Sequence, residues 1–134
     1  MLPFNHTILC VDDDEDDMTI LHESFRILGT KYQIDEAFDG IDALNKLKAY
    51  KEKGELPCLI ILDINMPRLD GKQAVIAIQS DPDLINVPIV IFTTSSSKMD
   101  QLFCASRHVA MMTKPIDFKT FHATARKMLE YCKI

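Results

Sequence analysis

Short apolar runs and amphipathic stretches alternate along the whole chain. Thr7-Ile8-Leu9-Cys10-Val11 is a continuous apolar run of strand length, the pattern of a strand buried on both faces. Residues 14–28 then carry Met18, Leu21, Phe25 and Leu28 at helical spacing, with Gly29 as a stop. Tyr32 to Phe38 alternates weakly and predicts a second strand. Asp39 can cap a helix over about 40–52 whose inner face is Ile41, Leu44 and Leu47, with Gly54 after it. Leu59-Ile60-Ile61-Leu62 predicts a third strand, and Gly71 opens a helix containing Ala74, Val75 and Ile78 that Asp81-Pro82 ends. Ile89-Val90-Ile91-Phe92 is a fourth strand, and a weakly patterned helix follows near 98–106. Val109 to Thr113 is a fifth strand, and Asp117 caps a last helix with Phe118, Phe121, Ala125, Met128 and Leu129 inward.

Strict alternation of buried strands with helices implies an α/β fold, a parallel sheet covered by helices on both faces. Strand order does not follow from this pattern. In an open sheet of this kind the functional site lies outside the carboxyl ends of the strands. The residues at those ends are Asp12 and Asp13, Asp63, Thr93 and Lys114.

The length of 134 residues is that of one domain, read as a single unit over 1–134 with a core of about 6–132. Six consecutive acids at 12–17, DDDEDD, account for more than the whole of the net charge of -5. The remainder is close to neutral, so a chain-wide basic surface for nucleic acid is excluded. No apolar run approaches the ~18 residues of a membrane span. The N-terminus lacks the basic start and small-residue cleavage site of a secretory signal. Cys10, Cys58, Cys104 and Cys132 form no CxxC pair. They read as small packed hydrophobes rather than a disulfide framework, which predicts a cytoplasmic protein. His6, His22, His108 and His122 show no metal-ligand spacing.

The acids therefore matter by location. Three carboxylates at one sheet edge repel one another unless a cation sits among them. Mg²⁺ (or Mn²⁺) suits such a site, because it takes one or two carboxylates and completes its shell with water and phosphate oxygens. An Asp can also serve as a nucleophile and form an aspartyl phosphate. Phosphoryl transfer needs an in-line nucleophile, the metal and donors for the equatorial oxygens, and Thr93 and Lys114 offer a hydroxyl and a cation. Each residue also has a plainer reading. Asp12 and Asp13 can cap a helix, Asp16 and Asp17 read as a solvated first turn, and Ser96 and Ser97 read as loop and cap. Met66, Met99, Met111 and Met112 read as packing.

At these residues the chain resembles the receiver domain of two-component response regulators. VDD at 11–13, LIILDINMPRLDG at 59–71, PIVIFTTSSS at 88–97 and TKPIDF at 113–118 match the family pattern in order. The resemblance implies a flavodoxin-like doubly wound sheet of order 2-1-3-4-5 with five helices. It implies Asp63 as phosphoacceptor, with Mg²⁺ held by Asp13 directly, Asp12 through water, Asp63, and the backbone carbonyl of Asn65. Thr93 would hydrogen-bond the phosphoryl group, Lys114 would pair with it, and the backbone N–H of Thr94 would contact it. Pro67 and Gly71 match the turn after the acceptor strand, and the Lys114–Pro115 bond would be cis. The family usually has an aromatic three residues before Lys114, where this chain has Met111. It commonly has Gly-Ala before that strand, where this chain has Arg107-His108.

The expectation is a stand-alone response regulator rather than a turnover enzyme. It would take phosphate from a sensor histidine kinase or a histidine phosphotransfer protein. It would signal to a downstream protein by contact or onward transfer, as a monomer or weak homodimer. Direct nucleic-acid or membrane binding is not expected. Three alternatives remain at this point. An Asp-nucleophile phosphatase would want a second Asp where Asn65 stands. A flavin module would need a phosphate loop where DDDEDD stands, which repels phosphate without a metal. A phosphorylation-independent scaffold would retain the fold alone.

Overall fold

The structure is a computed structural model that describes residues 2–29 and 31–132. The expected domain of 1–134 also includes Met1, Thr30, Lys133 and Ile134, which lie outside the described residues. Five strands alternate with five helices: β1 (Thr7–Val11), α1 (Glu15–Leu28), β2 (Gln33–Ala37), α2 (Gly40–Lys53), β3 (Leu59–Leu62), α3 (Gly71–Gln79), β4 (Ile89–Thr93), α4 (Lys98–Ser106), β5 (Ala110–Thr113) and α5 (Phe118–Leu129). The strands form one parallel sheet in the order β2-β1-β3-β4-β5. This is the flavodoxin-like order that the resemblance implies.

The side-chain period of two splits each central strand between two cores. Leu9, Val11, Ile60, Leu62, Ile89 and Ile91 face one layer, with Ala43 and Leu47 of α2, Ala74, Val75 and Ile78 of α3, and Cys104 of α4. Ile8, Cys10, Leu59, Ile61, Val90 and Phe92 face the other, with Met18, Leu21 and Phe25 of α1 and Phe121, Ala125 and Met128 of α5. Phe92 and Phe121 meet edge-to-face at 5.1 Å between ring centroids, a geometry that suits the ring quadrupoles.

Helix starts follow side-chain caps. Asp14, Asp39, Asp70, Ser97 and Asp117 each accept a backbone N–H of the first turn, and Asp70 with Gln73 forms a reciprocal capping box. His108 closes α4 in the left-handed region, at φ 57. A side chain there is uncommon, and glycine is the usual residue at such a turn. The departure from Gly-Ala at Arg107-His108 is thus accommodated by a left-handed histidine.

Four expectations about packing and cysteines need correction. Met99 of α4 is 75% exposed rather than packed. Phe118 is 67% exposed rather than inward, because it begins the first turn of α5 and the packed face starts at Phe121. On α2 the buried pair is Ala43 and Leu47, spaced i, i+4, which turns Ile41 outward. Cys58 and Cys132 are joined in a disulfide, while Cys10 and Cys104 are free and buried. The 74-residue separation hides this pairing in the sequence. Only the sheet topology brings the start of β3 and the end of α5 to the same edge.

Candidate functional site

The site forms where the strands run out. The amide of Asp12 donates to the carbonyl of Ala37 at 3.0 Å, and the amide of Asp63 donates to the carbonyl of Val11 at 3.0 Å. Both acids are therefore fixed by ladder hydrogen bonds that continue past the strand ends. On the other side, Thr93 pairs with Thr113, and the amide of Lys114 donates to the carbonyl of Thr93 at 2.9 Å. Sheet register, not side-chain chance, brings Asp12, Asp63, Thr93 and Lys114 to one edge.

Lys114 lies at the centre. Its Nζ is 2.7 Å from Asp12 Oδ2, 2.7 Å from Asp17 Oδ2 and 3.0 Å from Asp63 Oδ2. Its side chain is 6% exposed, against 3% for Asp12, 10% for Asp63 and 23% for Asp17. Burial works against the ammonium charge, but Asp12 and Asp17 outweigh it and push the Lys114 pKa well above its ordinary value. Burial dominates at Asp12. Its pKa is pushed up to about 6 although Lys114 and the Asp14 amide both favour the carboxylate, and the Asp63 charge adds to the rise.

Asp12, Asp13 and Asp63 each offer a carboxylate oxygen, and these oxygens lie within 4.8 Å of one another. With Asp17, four carboxylates crowd this edge, and three of them, Asp12, Asp17 and Asp63, surround the Lys114 ammonium. The donor set is all hard oxygen and carries excess negative charge, which fits a small divalent cation.

The loop after β3 is held close to the site. The Asp63 Oδ1 atom accepts the Ile64 amide at 2.7 Å, and the Gly71 amide donates to the Ile64 carbonyl at 2.8 Å. A Cβ on Gly71 would come within 2.2 Å of the Asp63 carbonyl oxygen. That approach explains the glycine by steric space. Pro67 accepts the Leu69 amide at 2.7 Å, and Asn65 is exposed on the same loop. Arg68, at φ 64, grips Asp39 with hydrogen bonds of 2.7 and 3.0 Å, tying the loop to the start of α2.

The loop after β4 has its own restraints. Thr93 is fully buried, and its Oγ1 accepts the Ser95 amide at 3.2 Å. Ser95 donates its hydroxyl to Asp100 at 2.5 Å, and Asp100 also pairs with Lys72 of α3. Thr94 is exposed beside Thr93, and Pro115 is half-buried after Lys114. The Lys114–Pro115 bond is trans, as are all peptide bonds among the described residues, which corrects the cis expectation. Met111 is half-buried against the layer that contains Cys104 and Val109, where the family usually has an aromatic.

The structure therefore brings together Asp12, Asp13, Asp63 and Lys114, and sets Thr93 beside Lys114 through the backbone. Asp17, read from the sequence as solvated, is a direct partner of Lys114. A signal for it existed: Asp17 adjoins inward Met18 and lies four residues before inward Leu21, on the same helical stripe. The Arg68–Asp39 and Ser95–Asp100–Lys72 ties join residues of different loops and helices and leave no local pattern.

Residues 8–126 match the family model described as the response regulator receiver domain. The chain belongs to this family. Receiver domains are signalling phosphoacceptors that interact with histidine kinases or phosphotransfer proteins, and they bind Mg²⁺ or Mn²⁺ at an acidic pocket. The probable methanogenesis regulatory protein FilR2 of Methanothrix harundinacea is 31% identical over 126 residues, covering 92% of this chain and 81% of that protein. Response regulator Rcp1 of Synechocystis sp. is 30% identical over 115 residues, covering 84% of this chain and 78% of Rcp1. The Mn²⁺-bound structure of Rcp1 superposes with a TM-score of 0.85 at 26% identity, covering 96% of this chain and 95% of that one. The phosphorylated cyanobacterial phytochrome response regulator RcpA superposes with a TM-score of 0.87 at 25% identity, covering 96% and 94%. Among the described residues of this receiver domain, no helix is long and apolar enough to cross a membrane.

Proposed function

We propose that the chain is a response regulator receiver that accepts a phosphoryl group on Asp63. The observation that carries the reading is the Lys114 ammonium, 3.0 Å from Asp63 Oδ2, beside the carboxylate cluster of Asp12, Asp13 and Asp63. The similarity to Rcp1, solved with Mn²⁺, and to RcpA, solved phosphorylated, supports it.

Asp12, Asp13 and Asp63 would hold Mg²⁺ or Mn²⁺, with the Asn65 carbonyl as a further ligand. The ion would supply the positive charge that lets a carboxylate meet an anionic phosphoryl group. The chain's own groups do the rest. The Ile64 amide holds the Asp63 carboxylate in one orientation through Oδ1. An Asp63 oxygen attacks the phosphorus of a donor phosphohistidine. A P–O bond forms, the P–N bond breaks, and its electron pair stays on the donor imidazole. Lys114 gives an N–H to a phosphoryl oxygen, the Thr94 amide gives another, and the buried Thr93 hydroxyl serves as a third donor. Water later attacks the phosphorus, the P–O bond to Asp63 breaks, and inorganic phosphate leaves with Asp63 again a carboxylate.

Output follows from the same donors. If Thr93 turns its hydroxyl toward the phosphoryl group, the Ser95 amide loses its acceptor, which loosens the loop that Ser95, Asp100 and Lys72 restrain. The signal then passes by protein–protein contact or by onward phosphoryl transfer. A cytoplasmic location belongs to the same proposal through the family's kinase partners; the Cys58–Cys132 disulfide removes the support that four free thiols gave it. Acetyl phosphate with Mg²⁺ tests the reading by intact mass. Wild type gains one phosphoryl group and Asp63→Asn gains none, whereas equal labelling of both contradicts it.

A further inference from the structure

The acidic run at 12–17 is only partly used by the reading above. Asp12 and Asp13 belong to the cation cluster, and Asp14 caps α1 by accepting the amides of Asp16 and Asp17. Glu15 and Asp16 are exposed in the first turn, where acids favour the positive end of a helix. Asp17 does something different. Its side chain reaches Lys114, in the connection from β5 to α5.

A lysine ammonium has three N–H donors and no acceptor. Here the three carboxylate partners are Asp12, Asp17 and Asp63, and the side chain is almost fully buried. Two of these three belong to the carboxylate cluster, so they would have to serve both Lys114 and a cation held there. Asp17 is outside that cluster. It is also delivered from a fixed element, since Met18, Leu21 and Phe25 seat α1 in the core and the Asp14 cap holds its first turn. A lysine has a flexible four-carbon stem and needs an anchor to stay on one target.

We propose that Asp17 is a positioning residue for phosphoryl transfer: it holds the Lys114 ammonium so that one N–H stays directed at Asp63 while Asp12 serves the cation. The proposal rests on the reading of Asp63 as the phosphoryl acceptor. Helix-end stabilisation alone does not account for Asp17, because its carboxylate is committed to Lys114 rather than to the helix terminus.

The test compares wild type, Asp17→Asn, Asp17→Glu and Asp63→Asn. It reads phosphoryl incorporation from acetyl phosphate at saturating Mg²⁺, Mg²⁺ affinity by calorimetry, and the Lys114 ammonium signal by NMR in the metal-free protein. Asp17→Asn is expected to slow incorporation about tenfold or more, as for loss of a hydrogen bond to a charged group. It should leave Mg²⁺ affinity and the folded spectrum unchanged, and it should broaden the ammonium signal through faster exchange. Asp17→Glu, which keeps the charge on a longer stem, should recover part of the rate. Incorporation by Asp17→Asn at the wild-type rate overturns the proposal. So does a loss of rate matched by a loss of Mg²⁺ affinity or of folding, which would make Asp17 a metal or structural residue. Failure of the wild type to take phosphate, or labelling of Asp63→Asn, overturns the Asp63 reading itself, and this is visible before any change at Asp17.

Discussion

Replacing Lys114 by methionine removes the ammonium that three carboxylates share while keeping most of the side-chain volume. In the structure Lys114 Nζ is 2.7–3.0 Å from three carboxylates, and all four side chains are largely withdrawn from water. At an effective dielectric of about 20, each of these attractions is about 6 kcal/mol before desolvation and carboxylate repulsion are subtracted. The net cost of leaving buried charges without their partner is about 3–5 kcal/mol. Against a typical domain stability of about 5–15 kcal/mol, the variant stays folded but becomes much weaker. With a urea slope of about 2 kcal/mol per molar, the midpoint in EDTA at neutral pH should fall by about 1.5–2.5 M.

The same argument fixes what restores it. A divalent cation at about a hundred times its Kd should return about 2.7 kcal/mol, and the variant should gain at least as much as wild type. Mild acid should also narrow the gap, because Asp12 is already raised to about 6 with Lys114 present and can shed its charge by protonation. The assay is urea unfolding followed by circular dichroism, with EDTA or Mg²⁺, at neutral and mildly acid pH. A Lys114→Met midpoint equal to wild type in EDTA at neutral pH would refute the view that Lys114 neutralises this cluster. So would a smaller Mg²⁺ gain in the variant than in wild type.

Mg²⁺ affinity should be flat above about pH 6 and fall below it as Asp12 takes up a proton, measurable by calorimetry across that range. The sign for metal-free stability is opposite: a raised carboxyl contributes stability below its ordinary 3.8 and loses it as pH rises towards about 6, so cation binding relieves a cost that grows with pH. Gly71→Ala drives a Cβ against the Asp63 and Ile64 backbone; it should cost about 1–3 kcal/mol and slow phosphoryl incorporation, and a wild-type urea midpoint would contradict the steric account. Reduction of the Cys58–Cys132 disulfide, which spans 74 residues, should lower stability by about 2–4 kcal/mol in urea unfolding, and Cys58→Ser should be insensitive to reductant.

Most elements can be read from the chain because the apolar periods are strong and the caps are explicit. Runs such as Leu59–Leu62 and Ile89–Phe92, each bounded by turn residues, leave little choice but a buried strand. The location of the site is also legible, since parallel sheets bring their strand ends to one edge. What escapes the sequence is whatever depends on helix rotation or on contacts across the fold. Ile41 and Phe118 are apolar at permitted spacings, yet rotation of α2 and the overhang of α5 leave both facing outward. The Cys58–Cys132 link and the Ser95–Asp100–Lys72 tie join segments that meet only after the sheet has formed. Asp17 is the instructive case. A run of acids looks uniformly solvated, but one member on the inner stripe of α1 is consumed by a buried lysine.

The most direct test of the account is the position of the phosphoryl group itself. After incubation with acetyl phosphate and Mg²⁺, borohydride converts an aspartyl phosphate to homoserine, and peptide mass spectrometry locates the change. The account predicts homoserine at position 63 in wild type and at no other acid, with none in Asp63→Asn. Homoserine at Asp12, Asp13 or Asp17, or a label that resists borohydride, would contradict it.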